Sequence, residues 1–214
     1  VSRLHVAHGR EALEQLLCMS AWWGGYLPVR LGSAPDEERF WRQVQRPGMR
    51  SWRWDIAGLV RELDEEHDDE VLLGLPWSHP RAGGVARTSV LWARVEGTQQ
   101  VTWARKFRPL PTMILQEGSS TRRILFWALE ETVPWATALK QNKRLAYRFG
   151  AVQKHADPDV LVIPAPGTCL REGRSRPIPV RVSRLTDATF PLEVFAGHRW
   201  LRDPPEQTWQ AGAR

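Results

Sequence analysis

The stretch Thr88 to Gly97, TSVLWARVEG, constrains the fold of this chain more than any other. From Ser89 to Val95 it is short and apolar, bounded by Gly83-Gly84 before and Gly97 after. A run of that length between turn residues reads as a buried strand, because a helix needs more residues to bury a face. We therefore expect a central strand buried on both faces. A polar loop carrying Arg81, Gly83 and Gly84 feeds it, and before that loop Val71 to Leu75 reads as another strand.

Other elements follow from the same signals. Residues 9–23 place Leu13, Leu16, Leu17 and Trp23 at helical spacing, stopped by Gly24-Gly25. Tyr26 to Leu31 reads as a strand. Ser33-Ala34-Pro35-Asp36 has the form of a helix start, so a helix carrying Phe40, Trp41 and Val44 is expected up to Pro47-Gly48. A third helix over Asp55 to Glu65 runs into the acidic stretch Glu62 to Glu70, read as a solvated helix end and loop. Residues 98–107 read as helix, and Thr112 to Gln116 and Ile124 to Leu129 as strands flanking EGSSTRR. The longest helix is expected over Val133 to Phe149, with Pro134 in its first turn and Gly150 just past its end. Leu161 to Ile163 reads as a buried strand, REGRSR (Arg171 to Arg176) as a basic loop, and Val180 to Leu185 as a half-exposed strand. The pattern of helices and strands is that of an α+β fold.

A chain of 214 residues can bury a sizeable core. No apolar run approaches the roughly 18 residues that span a membrane, so no membrane association is expected. The N-terminus carries no signal-peptide pattern, and two cysteines, Cys18 and Cys169, form neither a disulfide framework nor a zinc cluster. A cytoplasmic setting is the expectation. The 12 tryptophans follow no fixed period, which argues against a repeat fold. Charge is the more informative total. Residues 1–97 carry 12 basic against 14 acidic side chains, residues 98–185 carry 15 against 6, and residues 186–214 carry 3 against 4. A basic middle beside a near-neutral first half suggests one positive face, the usual form of a phosphate-binding surface.

Several stretches in order resemble a known family. They are VLLGLPWSHPRAGG…VLWARVEG, PLPTMILQEGSS…FWAL (Pro109 to Leu129), NKRLAYRFGA (Asn142 to Ala151) and DPDVLVIPAPGT (Asp157 to Thr168), with looser likeness in PVRVSRL and AGHRWLRDPP. Together, over Val71 to Pro205, they resemble the archaeo-eukaryotic primase superfamily, specifically the primase-polymerase domains of actinobacterial phages and plasmids. The resemblance implies a primase-polymerase-like α+β fold: an RRM-like mixed sheet core with flanking helices and an N-terminal helical layer. It places a single domain over residues 1–205, with 1–70 as the helical layer, 71–205 as the core and 206–214 as a flexible tail.

The family's chemistry is phosphoryl transfer from a nucleoside triphosphate, with carboxylates holding two divalent ions. By the resemblance, the Asp-x-Asp of the family corresponds here to Arg94 and Glu96. Its glycine-loop histidine corresponds to Arg123 or Ile124, its third acidic ligand to Val152 or Gln153, and an arginine before Pro-Gly-Thr to Val162. The implied protein has degenerate catalytic motifs, needs no cofactor, and binds DNA or a replication partner through a basic groove. Expected phosphate contacts are Arg94, Arg105, Lys106, Arg108, Arg122, Arg123, Arg171, Arg174 and Arg176. Arg122 and Arg123 follow the small-residue turn Gly118-Ser119-Ser120, whose N–H groups can also reach an anion. Arg94, two residues from Glu96 on one strand face, is expected to pair with it directly or to bind a phosphate. Two alternatives stay open: an active primase or polymerase using Glu96 with Asp157 or Asp159 and Mg or Mn, and a protein scaffold without nucleic acid.

Overall fold

The structure is a computed structural model that describes residues 26–31, 40–43, 71–74, 87–118, 121–156, 162–164, 166, 169–170 and 178–205. Its organising element is β6 (Arg122–Pro134), 13 residues long. Along one side of β6 runs β4 (Arg87–Glu96), antiparallel, with Leu91 opposite Trp127 and Arg94 opposite Ile124. Along the other side lie first β5 (Met113–Glu117), antiparallel, and then the short β10 (Thr189–Phe190), parallel. β9 (Ile178–Leu185) pairs with β5, and β8 (Cys169–Leu170) with β9. The one parallel pair makes the sheet mixed. A second, four-stranded sheet has the order β2 (Phe40–Gln43), β1 (Tyr26–Leu31), β3 (Val71–Gly74), β7 (Val162–Pro164).

β6 is apolar on both faces from Ile124 to Leu129 because both are covered, so the usual strand alternation is lost there. Leu91, Ala93 and Val95 of β4 share one face with Leu125, Trp127 and Leu129, and pack with residues of α1 (Thr98–Lys106) and α2 (Trp135–Phe149) in a single core. Val90, Trp92, Ile124, Phe126, Met113 and Leu115 lie on the opposite face and are equally buried. Phe107, Trp127, Phe149 and Phe195 meet edge-on or stacked, with ring centroids between 5.4 and 6.3 Å apart. Such pairs add to the stability of their burial alone.

The C-terminal segment is fastened by Arg144 of α2. Its guanidinium donates to Gln141 Oε1 at 2.7 Å and to the carbonyls of Phe195, Ala196 and Leu201. Those carbonyls belong to α3 (Glu193–Ala196) and the turn after it. Thr112 works the same way between strands: its buried hydroxyl accepts from Ala128 N–H and donates to Ala188 O.

Three expectations change. Phe40 to Gln43 forms a strand, not part of a helix, since it pairs antiparallel with β1, Val29 opposite Phe40. Two strands therefore fall within the segment expected as a helical layer; the helices expected over 9–23 and 55–65 lie outside the described residues. The long helix begins at Trp135 instead of Val133, because β6 resumes after an irregularity that turns Glu130 and Glu131 out to solvent. Thr132 is then held by Arg87, whose Nε donates to Oγ1 at 3.2 Å and whose Nη2 donates to the carbonyl at 2.6 Å. Pro134, with φ −54° and ψ 141°, caps the helix from outside it. Finally, β4 is buried on both faces as expected but is not central. Among the described residues its only strand neighbour is β6.

The free edge of β4 is closed by side chains instead. Outward N–H groups of Val90, Trp92 and Glu96 are accepted by Thr88 Oγ1 (3.3 Å), Asn142 Oδ1 (3.0 Å) and Gln100 Oε1 (2.7 Å). Buried backbone donors without acceptors are costly, so at Val90 and Trp92 these side chains stand in where no described strand pairs.

Candidate functional site

Strand order brings four charged residues together at one end of the sheet. Arg94 and Glu96 lie on β4, two residues apart and on one face. Arg122 of β6 is directly opposite Glu96. Glu117 ends β5, one step beyond the Gln116–Arg123 pair, and so comes beside Arg122 on its other flank. The row reads Glu96, Arg122, Glu117 across three strands, with Arg94 at the corner.

The ion pairs follow this geometry. Arg94 Nε lies 3.1 Å from Glu117 Oε2, and Arg122 Nε lies 3.3 Å from Glu96 Oε1. Glu117 is only 3% exposed and Arg94 20%, whereas Glu96 is 64% exposed. Burial pushes the Glu117 carboxyl above its ordinary value of 4.5, helped by Glu96 and opposed by Arg94 and Arg122. The inner pair is thus the more desolvated and the outer pair the more hydrated. The expected direct pairing of Arg94 with Glu96 is not what forms: each takes a partner from another strand. Glu117 escaped notice because EGSS reads as a loop, although the alternation of Met113, Leu115 and Glu117 puts all three on one buried face.

Gly118 makes the abrupt end of β5 possible. Its φ is +65°, and a Cβ there would come within 2.1 Å of Ile178 Cγ2 at the start of β9. Only glycine satisfies both the backbone and the contact.

His155 faces the same end from the 3-10 turn Gln153–Ala156. Its backbone carbonyl accepts the Trp92 indole N–H at 3.0 Å, and Trp92 stacks on Trp135 with centroids 5.4 Å apart. Burial lowers the His155 pKa from 6.5, Arg94 and Lys154 lower it further, and Glu96 opposes them. The imidazole is therefore neutral at pH 7 and within electrostatic reach of the quartet.

The nine basic positions expected to form one face do not all do so. Arg122 and Arg123 are successive strand residues and point to opposite faces. Arg122 joins the quartet, while Arg123 shares its face with Val95 and the helices. There burial lowers the Arg123 pKa, and the nearby Arg105 lowers it further. Arg105 and Lys106 are exposed in the last turn of α1. Arg108 folds back on that helix end, its Nη1 donating to Arg105 O at 3.0 Å and Phe107 O at 2.9 Å, so it caps a helix. Arg171, Arg174 and Arg176, like Asp157 and Asp159, lie outside the described residues. Arg181, which the sequence did not single out, stands on β9 opposite Gln116, on the same face as Arg123.

Of the two positions considered for a histidine, Ile124 alone shares the face of Arg94, and it is fully buried. Val152 is exposed, and Gln153 opens the 3-10 turn.

No protein-family profile matches the chain, and no curated protein sequence matches it. Solved structures do. The chain is similar to primase RepB′, at 12% identity and a TM-score of 0.58, with 90% of this chain and 60% of that chain covered. It is similar to the catalytic domain of primase RepB′ in complex with initiator DNA, at 12% identity and 0.57, covering 90% and 91%. It is also similar to the AEP domain of the cyanophage S-2L primase-polymerase, at 11% identity and 0.56, covering 94% and 98%. The chain thus spans about 60% of the length of primase RepB′ and nearly all of its catalytic domain. At this identity the likeness establishes the fold, and the fold is that of a primase-polymerase domain.

Proposed function

We propose that this chain is a nucleic-acid-binding protein of the primase-polymerase fold that does not itself transfer nucleotides through divalent ions. The observation that carries the reading is the pair of ion bridges, Arg94–Glu117 and Arg122–Glu96. By the resemblance drawn from the sequence, the face holding these residues is where two metal ions would be bound by carboxylates. Here both described carboxylates already hold a guanidinium. A divalent ion about 4 Å from one guanidinium is opposed by roughly 8 kcal/mol at an effective dielectric near 20. The residues present do not suit such ions, and no catalytic step is assigned through them.

Binding is supported by the surplus charge and by the fold. A solved relative, the catalytic domain of primase RepB′, is a complex with initiator DNA. In this chain Arg94 and Arg122 are committed to carboxylates, so phosphate contacts fall to Arg105, Lys106 and Arg123, with Arg171, Arg174 and Arg176 as further contacts expected from the sequence. A replication partner supplying the transfer chemistry is the complement this reading implies.

Two measurements on the intact protein test it. Binding to labelled DNA should weaken steeply from 50 to 200 mM salt, and replacing Arg105 and Arg123 together by alanine should flatten the slope by about 1 to 2 phosphates. Primer extension with manganese should be absent, and Arg94→Asp alone should not create it. Extension by the unmodified protein that disappears in Glu96→Ala would overturn the reading in favour of an active enzyme.

A further inference from the structure

The helices on the core side of the sheet carry a feature that the sheet-end site does not use. From Thr132 to Ala156, through α2 and the 3-10 turn, the chain has no acidic residue, and α1 has none either. Lys140 and Arg144 of α2 are drawn to Asp203. Lys143, Arg148 and Lys154 have no acidic partner among the described residues. Like charges one turn apart on α2, Lys140 with Arg144 and Arg144 with Arg148, repel one another, which favours an anionic partner over this surface.

The same surface exposes aromatic rings. Tyr147 is 44% exposed and Trp103 36%. Lys143 and Tyr147 are one turn apart on α2, and Gly150 lies one turn beyond Tyr147. Trp103 of α1 reaches across to that glycine: a Cβ at Gly150 would meet the ring at 3.1 Å. Gly150 also ends α2, with φ +66°. The absence of a side chain there lets the indole lie against the backbone. Cation, phenol ring and indole thus form a line across the ends of two helices, and the exposed Val152 and Lys154 follow Gly150 in the chain.

From this line we infer a binding surface for single-stranded nucleic acid, with bases stacking on Tyr147 and Trp103 and phosphates on Lys143, Arg148 and Lys154. Exposed rings beside cations that lack an acidic partner among the described residues suit an unpaired strand, whose bases have free faces and whose backbone is anionic. A duplex offers the phosphates but keeps its bases stacked. An acidic peptide would satisfy the cations but leave the rings without partners. The inference rests on the proposal that the chain binds nucleic acid; it adds which surface is used and in which strand state.

The test compares a single-stranded oligonucleotide, the same oligonucleotide with abasic positions, and a duplex, by anisotropy at several salt concentrations. Tyr147→Ala should lower affinity for the intact single strand by about 5- to 100-fold with an unchanged salt slope. Tyr147→Phe should keep the affinity, and Tyr147→Ala should gain little further loss on the abasic strand. Lys143→Ala with Arg148→Ala should reduce the slope by about 1.4. Tyr147 is exposed, so its replacement should leave the melting temperature in place, which checks folding. Unchanged affinity in all these variants, while the unmodified protein still binds single strands, would overturn this surface and leave the proposed function standing. Failure of the unmodified protein to bind any oligonucleotide would overturn both.

Discussion

Glu117 is the residue on which the sheet-end site turns. Its carboxylate is almost fully covered, and Arg94 is the cation that permits it to be charged there. Replacing Arg94 by methionine should therefore cost about 2–4 kcal/mol, chiefly through the anion left behind, and Glu117→Gln should recover much of that in the double variant. The pH dependence has a definite sign. Because the folded protein holds the Glu117 proton more tightly than the unfolded chain, stability falls as pH rises from 4.5 through the folded pKa. Glu117→Gln should remove that fall, and denaturant titrations of both proteins from pH 4 upward would show it. At this scale the sequence was half legible. That Arg94 and Glu96 share a face follows from the period of a strand alone. Their partners do not, since Glu117 and Arg122 arrive from strands whose neighbours are set by the folded sheet.

Elements were more legible than pairs. β1, β4, α1 and the end of α2 were marked by local signals: apolar runs of strand length, helical spacing, and Gly150 as a left-handed stop. Where local signals competed, they misled. Ser33-Ala34-Pro35-Asp36 has the chemistry of a helix start, yet Phe40 to Gln43 is drawn into pairing with β1. Pro134 looked like a first-turn proline, but Arg87 holds Thr132 just before it in the strand. β4 was legible as buried but not as having a single strand neighbour among the described residues, since burial comes from the helices and 3-10 turn that cover it as well as from its sheet. Its central leucine still tests the element. Leu91 is fully buried against the helices, so Leu91→Ala should cost about 2–5 kcal/mol in equilibrium denaturation, whereas a silent substitution would misplace the strand.

Across the described residues, charge is divided between the two faces of one sheet: balanced pairs at the sheet end on one face, and above the other, cations without a described acidic partner beside open rings. The edge of β4 has a consequence for how copies of this protein meet. A strand whose outward N–H groups were bare would template a strand from a second molecule, and sheets would grow from one chain to the next. Asn142 prevents that by giving its amide oxygen to Trp92 from within the fold. The same atom that completes a hydrogen bond inside one protein thus takes up a donor that a neighbouring protein's strand could otherwise meet. Asn142→Leu would uncover the Trp92 donor while keeping the bulk of the side chain. That variant should self-associate as concentration rises, seen as growing mass in light scattering, while the unmodified protein holds a constant mass over the same range; equal behaviour of the two would mean that α2 guards the edge by bulk alone.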